Sequence, residues 1–360
     1  MLIYLSNLAV VVLAAYLARQ SKSAIISKGL LALAFVSMVL VAGLRDRTVG
    51  TDTPAYVMHL NQIRSFVDVV QVGSEMGEYG FWILTWLVHF ISDEYMIYLC
   101  AIAIIVVACY QRVIVAHSDD IVLSFFVFIT VGSYLFFFNG ARQGIACAIY
   151  ALAVGAMLER NPAKYIAYVL VAFLFHKTAI MTLPVYLIFS RPNTLKNNLV
   201  IALIGCAAVV VFTQFSGEIA SIGDMRYSVY LDRVEGGGYY MVGISALFAI
   251  FFLIFKKSVS IQRARYDLFL NMILFGLMIG VVSSVMSVDP SGLLRYGAYF
   301  NIAIVLIWPI VFKNLSDRRE RAAAGYFFMV YCLAMLVLTT ERFSNLIPYK
   351  FNPAVSALFR

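Results

Sequence analysis

Asn139, Arg142 and Gln143 stand at the head of a long apolar run and His176 interrupts another, in a chain that is 62% hydrophobic. A charged side chain at the centre of a spanning helix costs roughly 2.5 to 3.5 kcal/mol, so these groups belong beside a polar cavity or at the water boundary. A guanidinium offers a planar fork of five donors that suits a phosphate or diphosphate. A neutral imidazole can take a proton from an attacking hydroxyl. Each also has a structural reading: an arginine that snorkels to the interface, and a histidine that hydrogen-bonds a neighbouring helix.

A second set of polar residues lies in the segment from Arg45 through Asp46, Arg47, Thr48, Val49, Gly50, Thr51 and Asp52 to Tyr56. Gly50 permits a sharp turn, and Pro54 starts a helix. Asp52 is either the N-cap of that helix or a base or hydroxyl acceptor beside Arg45 and Arg47. Arg226, Arg233 and Arg295 follow in later loops. Together with Arg142 they put four arginines on one face with few acids beside them, which favours an anionic ligand.

The elements that must hold these residues are membrane helices. At 360 residues, 13% of them charged, and with a mean hydropathy of +0.89, the chain reads as an all-α polytopic membrane protein. Apolar runs fall at 2–18, 28–44, 95–113, 121–138, 142–158, 164–175, 178–189, 198–215, 239–255, 266–286, 294–312 and 322–340. That is about 12 crossings at about 20 residues each, leaving room for one membrane-embedded domain over 1–360. Run 2–18 reads as a retained first helix. A shorter run, 80–93, reads as a re-entrant or interfacial helix, and 164–189 as a hairpin turning at His176.

The net charge of +8 is spread over loops instead of forming a patch, so it does not indicate nucleic acid. Arg19, Lys22 and Lys28 fill one loop, Lys256, Lys257, Arg263 and Arg265 another, and Lys313, Arg318, Arg319 and Arg321 a third, all cytoplasmic by the positive-inside rule. The long loops 45–79 and 214–238, the Asn139–Gln143 turn, His176 and Arg295 then lie on the extracytoplasmic side, where two long loops can roof a site. His59 and His117 read as loop residues, and His89 with Trp82 and Trp86 as part of an interfacial belt. The five cysteines lie in apolar runs without a C-x-x-C pair and imply neither disulfide nor metal. No Walker A loop, G-x-S-x-G, H-E-x-x-H or dinucleotide fingerprint is present, so nucleotide hydrolysis, serine hydrolysis and zinc proteolysis have no support.

Read in order, these pieces resemble the EpsG branch of the Wzy-like bacterial polysaccharide polymerases. The resemblance is carried by Arg45 with Val49, Gly50, Thr51, Asp52 and Tyr56, and by Glu78, Gly80 and Phe81 opening a short helix. It continues through Asn139, Arg142 and Gln143 followed by Ala146 and Ala148, then Phe175 and His176, and closes on Ile347, Pro348, Tyr349 and Lys350. It implies a cofactor-independent glycosyltransferase at the outer face of the bacterial plasma membrane. Such an enzyme moves a growing glycan from undecaprenyl diphosphate to an incoming lipid-linked repeat unit, and the family implies a chain-length regulator as a protein partner. On that reading His176 and Asp52 are the candidate bases. Arg142, Gln143, Asn139, Arg45, Arg47, Tyr56, Arg226, Arg233 and Arg295 are the candidate substrate-binding residues, with no metal. The alternatives are an O-antigen ligase, which shares the donor, and a lipid-linked oligosaccharide flippase or transporter. A flippase or transporter should show internal repeats and mid-membrane charges, and neither is evident.

Overall fold

Short polar residues placed just before apolar runs start several of the helices. Ser23 accepts the backbone N–H of Ile26 at the head of α2 (Ala24–Gly43), and Asp120 accepts those of Val122 and Leu123 at α7 (Ile121–Thr130). Asn161 accepts that of Lys164 at α10 (Pro162–Phe175), with Pro162 in the first turn, and Asp317 those of Arg319 and Glu320 at α16 (Arg318–Val337). Each satisfies N–H groups that have no partner within the helix. The computed structural model describes residues 1–221, 239–286 and 293–357. Among these the fold is all helix, with one isolated bridge between Arg45 and Phe351. The remaining helices are α1 (Leu2–Gln20), α3 (Thr53–Gln62), α4 (Phe66–Met76), α5 (Tyr79–Val88), α6 (Tyr95–His117), α8 (Ser133–Phe136) and α9 (Ala141–Leu158). They continue with α11 (Val185–Phe189), α12 (Leu195–Ser221), α13 (Tyr239–Phe255), α14 (Arg263–Val285), α15 (Asn301–Asn314) and α17 (Pro353–Ala357).

Seven of the described helices are long and apolar enough to cross a membrane, α1, α2, α6, α9, α14 and the segments Arg295–Asn314 and Arg318–Arg342. Helix α2 has a hydropathy of 2.3 yet only 22% of it is buried. An apolar helix left uncovered in this way faces lipid, and the protein is a membrane protein. The sequence expectation of about twelve crossings is not met by twelve long helices. Four further apolar helices are only 10 to 17 residues long: α5, α7, α10 and 195–210 of α12. The expected short helix at 80–93 is α5, whose 10 residues span about 15 Å, half the hydrocarbon thickness. Run 121–138 divides because Gly132, at φ +84, turns the chain between α7 and α8. Run 164–189 breaks at His176, whose extended backbone (φ −155°, ψ 124°) leads into a 3-10 turn, Lys177–Thr182, and then α11.

Helix α9 is the axis of the fold, with 83% of its span buried. Its small residues allow this: a Cβ on Gly144 would collide with Phe137, and one on Gly155 would press on His117. The three basic loops converge at one end. Asp119 accepts Gln262 Nε2 at 2.7 Å and Lys313 Nζ at 2.9 Å and pairs with Arg265, while Asp120 pairs with Arg19 at 2.6 Å. Near Asp119, His117 is the last residue of α6, and His59 lies within α3, so neither is in a loop. The opposite end gathers the broken helices and loop 45–79, which the C-terminal segment ties down through Asp46 N–H to Lys350 O and Gly50 N–H to Asn345 O.

Candidate active site

Loop 45–79 folds over the head of α9 because its buried groups bind backbone. Arg45 is 1% exposed. Its guanidinium donates to Ala42 O, to Thr53 Oγ1 at 3.4 Å and to Phe138 O at 3.4 Å, and stacks 4.4 Å from the Phe138 ring. Burial lowers its pKa to about 10, offset in part by nearby tyrosines, so it remains a cation at neutral pH. Three of its N–H groups are thus engaged inside the fold. Arg47 is exposed on the same loop. Gly50 sits at φ +94, where a Cβ would run into Asn139 Oδ1.

Tyr56 fixes the start of α9. Its hydroxyl accepts the Ala141 N–H at 2.8 Å and donates to Asn139 O at 3.0 Å. Burial, reinforced by the Asp52 carboxylate and opposed by Arg142, the Ala141 N–H and Arg295, pushes this phenol up to about 12. It therefore stays protonated and keeps both bonds. Asn139 itself donates from Nδ2 to Ser344 O at 2.7 Å. These contacts leave Arg142, in the first turn of α9, projecting from a fixed backbone.

Arg142 meets an acid that sequence reading did not place in the site. Its NH1 donates to Glu78 Oε2 at 2.9 Å, and Glu78 Oε1 lies 2.6 Å from His176 Nδ1. The Glu78 side chain is 1% exposed, against 20% for Arg142 and 21% for His176. The Arg142 guanidinium also lies 5.7 Å from the Trp82 ring and 5.9 Å from Phe81, so α5 supplies an aromatic wall where an interfacial belt was expected. Glu78 occupies the N-cap position of α5 without a side-chain cap, and its backbone is left-handed at φ 59° and ψ 40°. A non-glycine residue in that region is uncommon, and such positions cluster at functional sites. Gly77 before it is also at φ +68, where a Cβ would strike the Lys177 stem. An acid just ahead of an apolar helix looks like an ordinary first-turn acid. In the sequence Glu78 stood only among the residues that carry the family resemblance; the positive φ of Gly77 and Glu78 turns its side chain away from its own helix.

The pairing orients the imidazole through Nδ1. With Glu78 ionised beside Arg142 the carboxylate only accepts, and Nδ1–H is then the donor of their 2.6 Å contact. The ring's other nitrogen, Nε2, has no hydrogen bond among the described residues. A neutral His176 therefore presents a lone pair from Nε2, the arrangement a proton acceptor needs.

Asp52 and Arg295 flank this trio. Arg295 NH1 is 3.7 Å from Asp52 Oδ2, both about one-third exposed. Thr51 Oγ1 donates to Asp52 Oδ1 at 2.9 Å, and Asp52 makes no side-chain cap to α3. Gln143 Nε2 donates to Arg295 O at 2.9 Å, and Thr178 shares a 3.1 Å hydrogen bond with Tyr299. The 3-10 turn Leu293–Phe300 is thereby tied to both α9 and the His176 segment. Glu78 thus joins Arg142 to His176, Gln143 joins α9 to Arg295, and the charges of Asp52, Arg142 and Arg295 all act on Tyr56. Arg226 and Arg233 lie outside the described residues. Among the described residues no group of three or more His, Cys, Asp or Glu side chains could hold a metal ion.

The EpsG family model matches residues 28–351. No curated protein and no solved structure is significantly similar to the chain.

Proposed function

Because the chain belongs to the EpsG family, we propose that it is a polysaccharide polymerase of the bacterial plasma membrane. In this reading a growing glycan passes from undecaprenyl diphosphate to a hydroxyl of the incoming lipid-linked repeat unit. The membrane-embedded fold is one domain of seven long spans completed by shorter apolar segments, and the site lies at the extracytoplasmic end, opposite the basic loops. The observation that carries the proposal is the Glu78 carboxylate held between Arg142 and His176, at 2.9 and 2.6 Å.

The chemistry follows from that geometry. His176 Nε2 takes the proton of the acceptor hydroxyl as its oxygen bonds to the anomeric carbon. The bond from that carbon to the diphosphate oxygen breaks, and the electron pair leaves with the diphosphate. Arg142 and Arg295 face the charge that develops on this leaving group. Glu78 stays ionised, orients the imidazole and stabilises the imidazolium that forms. Asp52, the other candidate base, holds Arg295 in place, and the buried Trp82 and Phe81 rings back the Arg142 guanidinium.

The test is a gel of surface glycan from a strain lacking the gene. A single repeat unit on the final acceptor is the expected result. Lipid-linked chains of normal length that fail to reach that acceptor would make the protein a ligase, and single lipid-linked units confined to the cytoplasmic leaflet would make it a flippase.

A further inference from the structure

The oxygen that attacks the anomeric carbon and the oxygen that leaves it are different atoms, so the base that serves one and the cation that serves the other must keep a fixed spacing. They stand on separate elements. His176 lies between α10 and the 3-10 turn Lys177–Thr182, whereas Arg295 belongs to the turn Leu293–Phe300. A hydrogen bond between side chains joins the two turns directly: Thr178 Oγ1 and the Tyr299 hydroxyl, 121 residues apart in the chain, are 3.1 Å from each other. Among the described residues it is the only hydrogen bond of that hydroxyl. The Tyr299 ring is buried, edge-on to Tyr150 at 5.7 Å and tilted against Tyr296 at 5.4 Å. A phenylalanine would keep both ring contacts, so packing does not account for the oxygen.

The same bond closes a ring of contacts around the site. From Tyr299 the turn runs back to Arg295, about 8 Å at the rise of a 3-10 helix. Arg295 O accepts Gln143 Nε2 at 2.9 Å, the adjacent Arg142 reaches Glu78 at 2.9 Å, and Glu78 reaches His176 at 2.6 Å. His176 then leads back to Thr178 along its own turn. Cut between Thr178 and Tyr299, the ring opens, and the His176 turn can shift against Arg295 while each keeps its other contacts. We infer that Tyr299 is a positioning residue, which through Thr178 sets the spacing between the His176 base and the Arg295 cation. The inference rests on the proposed glycosyl transfer and adds the side-chain pair that holds its two halves in register. A shift of about 1 Å in such a spacing can cost about a hundredfold in rate.

The experiment uses the full chain in proteoliposomes with purified lipid-linked repeat units, and rates are taken per mole of folded protein. Tyr299→Phe should lower kcat about ten- to a hundredfold, with KM for the lipid-linked unit within threefold of wild type. Thr178→Val should do the same, and the two changes together should cost no more than either alone, because each removes the same bond. Thr178→Ser, which keeps the hydroxyl, should stay within threefold of wild type. A merely structural contact would lower Tm or the yield of folded protein and leave the rate per folded molecule unchanged. That outcome overturns the inference, as do losses that multiply in the double variant or a Thr178→Ser protein as slow as Thr178→Val. A wild-type protein that forms no polymer overturns the glycosyl-transfer reading and this inference with it, whereas an active wild type with unimpaired variants overturns the inference alone.

Discussion

Replacing Glu78 with glutamine isolates what the shared carboxylate does, because Glu78→Gln keeps the size and removes the charge. Glu78 presents one oxygen to Arg142 at 2.9 Å and the other to His176 Nδ1 at 2.6 Å. Both contacts need an acceptor, and an amide offers only one. Arg142 cannot give up its protons, so the amide oxygen turns to Arg142 and the NH2 group meets Nδ1. Nδ1 must then accept, the proton moves to Nε2, and the lone pair that takes the hydroxyl proton is gone. The corresponding carboxylate-to-amide change in a serine protease triad lowers kcat by about 10⁴, and positioned general bases contribute about 10² to 10⁴. The expected loss here is therefore about 10² to 10⁴ in kcat, roughly 2.7 to 5.4 kcal/mol. The assay is the initial rate of polymer formation in proteoliposomes from purified lipid-linked repeat units, with donor binding measured alongside. A cycle with His176→Ala adds a readout that a purely structural role would not move: if Glu78 acts through the imidazole, Glu78→Gln costs little more once His176 is gone. A rate for Glu78→Gln within threefold of wild type, or the same loss with and without His176, refutes the reasoning.

Arg45→Met should deplete folded protein instead of slowing catalysis, since it strands the Ala42 and Phe138 carbonyls at about 1 to 3 kcal/mol each; a variant with wild-type Tm but no activity would return Arg45 to the site. Gly50→Ala should lower Tm and activity together, because a side chain at φ +94 is strained and its Cβ displaces Asn139; unchanged Tm and rate would sink this. For Asp46, burial raises the pKa, but hydrogen bonds from the Thr48 side chain and backbone and the charges of Arg47 and Lys350 outweigh it, so the folded value lies below the usual one. Its contribution is thus present above about pH 4 and lost as pH falls through the depressed folded value. The Tm gap between wild type and Asp46→Asn should accordingly be constant from pH 7 to 5 and close below pH 4, and a gap that closes by pH 6 would contradict the assignment.

The division between what the chain announced and what it concealed follows the range of each interaction. Membrane character is a sum over many residues, and the positive-inside rule joined three loops that the structure ties together through Asp119 and Asp120. The break at His176 was legible because a polar residue interrupted two half-length apolar runs. The number of long helices was not, since hydropathy cannot see that Gly132 at φ +84 divides one run. Nor could it separate the two arginines: Arg45 and Arg142 look alike at helix ends, yet one is consumed by carbonyls within the fold and the other faces the site. Glu78 was hidden for a related reason. Its partners are 64 and 98 residues away, a separation at which no local pattern speaks.

The way Arg142 is tethered leads to the sharpest distinction between the two basic side chains at this position. Among the described residues only its NH1 is hydrogen-bonded, to Glu78, and the guanidinium lies 5.7 Å from the Trp82 ring. The fork has five donors, so those not used on Glu78 can turn to a phosphate without releasing the carboxylate that orients His176. A lysine concentrates its charge and donors on one atom. Arg142→Lys must therefore choose between Glu78 and the diphosphate, and either choice disables one half of the site. If it keeps Glu78, the leaving group loses a stabilising donor, a deficit of about 10² in kcat by analogy with loss of one oxyanion donor. If it turns to the phosphate, the buried Glu78 loses one of its partners and the protein becomes less stable. Arg142→Lys should thus show either a kcat reduced about a hundredfold at wild-type Tm, or a lowered Tm in the absence of donor. Full activity at unchanged Tm would mean that Arg142 does not serve the carboxylate and the diphosphate together.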